Sequence, residues 1–399
     1  MFPNILLFVI LLVALIGAAS PVLVVYYLYR KWVFDQAMRD SNKYVMCPKC
    51  HRMVQLQWFL CDRCGQLNKL IPTEKNIHFV ACTNCGKELP TSNRDERHLL
   101  NAVCSMPDCG NFLGPLPGVN REIIIPIVGG PSTGKTTFMD AWLVSACLEL
   151  AITYKISFPF LENQQLAKQC IQNWQKGLKP NKTAIATPAC VGIDIVPQDS
   201  NTGWRVYMYD PAGEFFDSSK NLLNFSYYDY MDGIIFLVDP FSIRPIFMKY
   251  HSQLQQAEGL GFQVGSRDMN NICDRLINSM QNYHNLKFTE YHYANCAVVI
   301  TKADSFDLDQ QIGKQGIERL MHANPSLDYL DAMHTLCYHF LENAGVGNVL
   351  AKLEDNFEEV RCFSISSFGH MPDTGQAYKP ERVTLPIEWI VQNALPNQQ

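Results

Sequence analysis

The hydrophobic pattern divides the chain into stretches of different kind. Ile5 to Tyr29 reads ILLFVILLVALIGAASPVLVVYYLY, an apolar run that no charge interrupts. At about 1.5 Å rise per residue, a helix of this length crosses the roughly 30 Å hydrocarbon core of a bilayer. Tyr26, Tyr27, Tyr29 and Trp32 gather at one end as an interfacial belt would, and Gly17 and Pro21 are kink points that such helices tolerate. Beyond residue 120 the pattern becomes short apolar runs separated by helical-period stretches: IIIPIV from Ile123, VGIDIV from Val191, WRVYMYD from Trp204, GIIFLVDP from Gly233, NCAVVITKAD from Asn295 and VRCFSISSFG from Val360. Helical stretches are expected at KTTFMDAWLVSACLEL from Lys135, around 243–292 and around 308–357. Apolar strands alternating with helices predict an α/β fold with a mainly parallel sheet. The turn PQDSNTG joins the second and third runs as a hairpin, so one strand runs antiparallel.

A cleaved signal peptide ending near GAAS is the rival reading of the N-terminal run. No positive residue precedes the run, however, and it continues well past Ser20. Arg30, Lys31, Arg39 and Lys43 follow it. The positive-inside rule therefore predicts a single-pass membrane protein with its N-terminus outside and its body in the cytoplasm. Composition is that of a folded protein of 399 residues, 47% apolar and 18% charged. A net charge of −5 gives no electrostatic case for nucleic-acid binding.

Eight of the 15 cysteines lie between Cys47 and Cys109. They form the pairs Cys47/Cys50, Cys61/Cys64, Cys82/Cys85 and Cys104/Cys109, with ten residues between the first two pairs and eighteen between the last two. Paired thiols in a reducing compartment point to metal rather than disulfides. Two structural Zn²⁺ sites are expected, each with four thiolates: a zinc ribbon at 44–67 and a second at 79–113. Gly65, Gly86 and Gly110 follow three of the pairs and suit the positive φ of such turns. His51, His78 and His98 are further metal-ligand types that two four-thiolate sites leave unneeded. Sites of this kind fold a module and leave no coordination position for catalysis.

The segment GPLPGVNRE reads as a linker, after which IVGGPSTGKTT has the spacing Gly129, four residues, Gly134, Lys135, Thr136. Strand, glycine-rich loop and helix in that order form a phosphate cradle. Gly130, Pro131, Ser132, Thr133, Gly134, Lys135, Thr136 and Thr137 are the candidate phosphate contacts. Backbone amides and the helix N-terminus face the anion, Lys135 reaches the β- and γ-phosphates, and Thr136 ligates Mg²⁺. Asp210 ends an apolar strand in DPAGE and suits the magnesium shell, while Gly213 offers an amide to the γ-phosphate.

The order GxxxxGK[ST], DxxG, [NT]KxD and a Ser-rich turn after a strand resembles the TRAFAC-class GTPases related to Ras-like small G proteins, over roughly 120 to 395. More narrowly, the chain resembles the bacterial double-GTPase group, whose bodies follow zinc-ribbon or membrane segments; one phosphate loop is present here. The resemblance implies a three-layer P-loop NTPase sheet at 120–395 binding GTP and GDP. It implies that Asp304 accepts from the guanine N1 and N2 groups, that Lys302 packs along base and ribose, and that Ser366 offers a backbone amide to the guanine carbonyl. Thr301 stands where Asn is commoner, and Glu214 where small G proteins often place a water-orienting Gln. For the switch threonine that caps Mg²⁺, Thr187 is the first choice and Thr183 the alternate. Arg244 and Arg205 are arginine-finger candidates by charge alone. The expectation is slow GTP hydrolysis driving a membrane-anchored switch that recruits a protein partner, within the bacterial defence or conflict systems associated with the group. The alternatives are a zinc-bearing membrane scaffold with structural nucleotide, and an ATPase. The sequence leaves the oligomeric state and the partner open.

Overall fold

The computed structural model describes residues 2–179, 189–211, 228, 230–259, 262–266, 268–284, 294–370 and 375–394, with side chains from Pro21 onward except at 189 and 282–284. The chain divides into two compact units, Met1–Val119 and Asn120–Gln398. The division falls within the segment 114–122.

The first unit begins with a single helix, α1 (Phe2–Ser41), which contains the apolar run. Among the described residues no helix is long and apolar enough to cross a membrane. Most of the run expected to do so, residues 5–20, precedes the first described side chain. The last turns of α1 belong to the cysteine-rich region: Val33, Ala37 and Ser41 are buried, and the Asp40 carboxylate accepts from the Asn93 amide at 2.8 Å. Arg97, fully buried, lies over the Phe59 ring and donates to the Asp40 and Leu56 carbonyls.

Three antiparallel hairpins follow: β1 (Tyr44–Met46) with β2 (Met53–Gln55), β3 (Trp58–Leu60) with β4 (Leu67–Lys69), and β5 (Phe79–Ala81) with β6 (Glu88–Pro90). Each turns through one CxxC pair. The segments expected as two ribbons, 44–67 and 79–113, share a core. Val45, Val54, Leu56, Phe59, Leu70 and Leu89 share one buried cluster with cysteines of all four pairs, so the segment is a single module.

The second unit is built on a seven-stranded sheet: β7 (Arg121–Val128), β8 (Tyr154–Ser157), β9 (Ala189–Pro197), β10 (Trp204–Asp210), β11 (Gly233–Val238), β12 (Asn295–Ile300) and β13 (Val360–Ser364). The spatial order is β13-β12-β11-β7-β10-β9-β8. Strands β13, β12, β11, β7 and β10 are mutually parallel. Strand β9 pairs antiparallel with β10, with Ile195 opposite Trp204, so the expected hairpin is present. Strand β8 was not expected from the sequence; it adds an edge antiparallel to β9. Every residue of β11 and β12 is buried, as both-face coverage requires. Helix α2 (Lys135–Leu148) packs on β10 and on α3 (Leu161–Gln175). After β11 come α4 (Arg244–Lys249), α5 (His251–Glu258) and α6 (Met269–His284). Helices α7 (Leu308–Gln311), α8 (Lys314–Ala323), α9 (Tyr329–Leu341) and α10 (Gly347–Glu354) lie between β12 and β13, and α11 (Leu385–Asn393) closes the unit against β11 and β12.

Candidate functional site

Parallel strands deliver their carboxyl ends to one edge of a sheet, and ligands of open α/β sheets bind there, at the point where strand order reverses. Strand β7 is that point, since the chain runs from it to β10 on one side and then to β11 on the other. The phosphate loop leaves β7 at Val128 and enters α2 at Lys135. Gly134 caps the helix at φ 97°, a left-handed conformation that a side chain strains against. Gly129 has a steric reason to be Gly: a Cβ there would stand 2.8 Å from Thr133 Oγ1. Lys135 is buried, and its ammonium donates to the Gly129 and Gly130 carbonyls at 2.7 and 3.0 Å. The lysine thus folds back across the loop.

The two residues expected at magnesium meet across two elements. Thr136 on α2 donates its hydroxyl to the Asp210 carboxylate at the end of β10 at 2.6 Å. Asp210 is almost fully buried. A hydroxyl and a carboxylate meeting at a helix N-terminus form a hard-oxygen donor set that fits Mg²⁺. Behind them Asp140 of α2 is buried, which pushes its carboxyl up to about 6, with the nearby Asp210 charge adding to the effect.

The base motif follows β12. The Thr301 amide donates to the Val238 carbonyl at 2.9 Å, and its hydroxyl lies 3.4 Å from the Thr133 carbonyl, so the base loop is tied directly to the phosphate loop. Lys302 takes φ 58° and pairs with Asp239, while Asp304 is half-buried. Ser366 follows β13. Its amide is already donated to the Glu381 carbonyl at 3.1 Å, and its hydroxyl oxygen accepts from the Gly369 amide at 2.8 Å. That amide is engaged within the chain in this structure. Arg205 is no arginine finger, being buried and held by both carboxylate oxygens of Asp194 at 2.7 and 2.9 Å. Arg244 is exposed at the first residue of α4. Thr183, Thr187, Gly213 and Glu214 lie outside the described residues. Asp239, which the sequence reading passed over, sits fully buried at the end of β11 between these loops.

In the first unit the eight cysteines form two clusters whose pairing differs from expectation. One joins Cys47, Cys50, Cys104 and Cys109; the other joins Cys61, Cys64, Cys82 and Cys85. The outer pairs enclose the inner ones, where the sequence suggested neighbours in order. The hairpins explain this: Cys61–Cys64 and Cys82–Cys85 occupy facing turns of β3–β4 and β5–β6. Sulfur separations are 3.6 Å for Cys47–Cys109, 3.7 Å for Cys50–Cys104, and 3.6 Å for both Cys61–Cys85 and Cys64–Cys82. Tetrahedral zinc with bonds of about 2.3 Å requires sulfurs roughly 3.7 Å apart, so both donor sets fit. Backbone N–H groups of Cys85 and Asn84 face the Cys82 sulfur and draw its thiol down to about 6, while at Cys85, against a backbone hydrogen bond from Lys87, burial and the neighbouring sulfurs of the same cluster push the thiol up to about 11. His51 takes the positive-φ position that glycine fills after three other pairs, which gives it a structural place rather than a ligand's.

A family model described as double-GTPase 2 matches residues 123–335, just over half of the chain. Among solved structures, one similar chain is the Arl6 (BBS3) small GTPase from Trypanosoma brucei with the bound nucleotide analogue GppNp. It is 12% identical, over 68% of this chain and 97% of that one, with a TM-score of 0.31. No curated protein matches the chain.

Proposed function

The chain belongs to the double-GTPase 2 family of GTP-binding proteins, and on that premise we propose that it is a slow GTP-hydrolysing switch. The observation that carries this reading is the convergence of three motifs at one sheet edge, with Thr301 of the base loop reaching the Thr133 carbonyl of the phosphate loop. Lys135 and the loop amides would bind the phosphates, and Thr136 and Asp210, which meet at 2.6 Å, would hold a Mg²⁺ that would supply charge neutralisation at the phosphates. Asp304 selects guanine, because adenine leaves its carboxylate without donors. Glu214, standing where related proteins often carry a water-orienting Gln, is the reason for assigning slow turnover. It also supports a second reading, in which GTP is bound without hydrolysis.

Base selectivity tests the assignment. Asp304→Ala should weaken GTP and GDP binding by about 1–3 kcal/mol while leaving ATP binding unchanged, measured by calorimetric titration with Mg²⁺. Unchanged selectivity would leave an ATPase as the better description. Single-turnover assays with GTP separate the two readings of Glu214, since a scaffold holds GTP intact over hours.

We further propose that residues 5–29 anchor the protein in a membrane with its body in the cytoplasm, and that zinc fills both cysteine clusters. Recruitment of a partner protein within a bacterial defence system is the wider role that the resemblance supplies.

A further inference from the structure

We infer that Asp239, with the segment 262–266 that follows α5, is a positioning unit that locks the base-recognition lysine to the phosphate loop. Asp239 is fully buried and accepts three hydrogen bonds. One comes from the Phe241 amide at 3.0 Å, one from the Gly265 amide at 2.7 Å, and one from the Lys302 ammonium at 2.6 Å. Lys302 also donates to the Gln263 carbonyl, and its ammonium lies 4.8 Å from the centre of the Phe262 ring. The lysine head is therefore held by a carboxylate, a carbonyl and an aromatic face, all from outside the base motif.

The same segment reaches the phosphate loop. The Ser266 amide donates to the Pro131 carbonyl at 3.0 Å. A Cβ on Gly265 would stand 3.1 Å from Thr133 Cγ2, and one on Gly130 would stand 3.0 Å from Ser266 Cβ, so each glycine backbone packs closely on a side chain of the other segment. Phe262 and Phe306 both pack edge-on against Phe241, with centroids 5.5 and 5.4 Å away, which fastens the far side of the base loop to the same segment. The stretch after β11 thus acts at the nucleotide site: it fixes where Lys302 lies relative to the phosphate loop before any base arrives. Asp239 acts through Lys302.

The inference rests on the guanine-nucleotide reading above. Its test is a double-mutant cycle on the full-length protein in detergent, reading the dissociation rate of a fluorescent GDP analogue for wild type, Asp239→Asn, Lys302→Met and the double variant. Asp239→Asn should speed release about tenfold by removing the charged partner of Lys302. In the Lys302→Met background the same substitution should have no further effect. Multiplying effects in the double variant would mean that Asp239 is only a structural cap, and would overturn the inference. Gly265→Ala provides a second route that leaves both charges in place, and it too should speed release. An unchanged rate with this variant in a folded protein would also overturn the inference. Failure of wild type to bind the GDP analogue would instead sink the guanine-nucleotide reading, and this inference with it.

Discussion

Residues that look interchangeable by charge have separate duties once burial is considered. Arg205 and Lys302 are both cations near the sheet, yet the first is a structural tie. Arg205 and Asp194 face each other across the β9–β10 pair in register and are buried together. Burial alone would lower the arginine's pKa, but the Asp194 carboxylate outweighs this and holds it above its ordinary value. Breaking a buried pair leaves one charge uncompensated, so Arg205→Met should cost about 3–5 kcal/mol in urea unfolding. Replacing both, with Asp194→Leu added, should recover most of that loss. A single substitution costing under about 1 kcal/mol would show that water reaches Asp194 and that the pair is not structural.

At the scale of elements, the cysteine module makes the sharpest prediction. Cys61→Ser combined with Cys82→Ser damages one site if the pairs are nested, and both if they follow sequence order. The structure predicts that this double variant retains one tetrahedral thiolate site, built by Cys47, Cys50, Cys104 and Cys109. Zinc content and cobalt(II) absorbance measure it; loss of both sites would contradict the nesting. The ligands were legible in the sequence because CxxC is a local turn. Their pairing was not, because spacing along the chain does not reveal which turns share a core; Phe59, Leu70 and Leu89 decide that. The same contrast holds at the nucleotide site. The phosphate loop and the Thr301–Asp304 motif are contiguous and sit at strand ends that the apolar runs mark. Asp239 escaped notice because its partners Gly265 and Lys302 lie 26 and 63 residues away. Ser366 was placed correctly after a strand, but sequence does not show that its amide is taken by Glu381. Strand β8 was missed because it is a four-residue edge strand whose alternating residues are no more than half-buried.

For the molecule as a whole, two units carry two kinds of chemistry: a thiolate module continuous with α1, and a nucleotide-binding body. The burial of Val33 and Ala37 and the Asp40–Asn93 bond mean that the cysteine module includes the end of α1, so a fragment meant to keep it must begin near Arg30. If residues 5–29 anchor the protein, the full chain should sediment with membranes and resist carbonate washing, while the fragment from Arg30 stays in the supernatant. Release of the full chain by carbonate would remove the anchor from the account. The central claim concerns the second unit, and equilibrium titration of the full-length protein with GTP, GDP and ATP in the presence of Mg²⁺ tests it most directly. The account predicts micromolar or tighter binding of both guanine nucleotides and no competition from ATP at tenfold excess. Equal binding of ATP, or no binding by folded, zinc-replete protein, would contradict it.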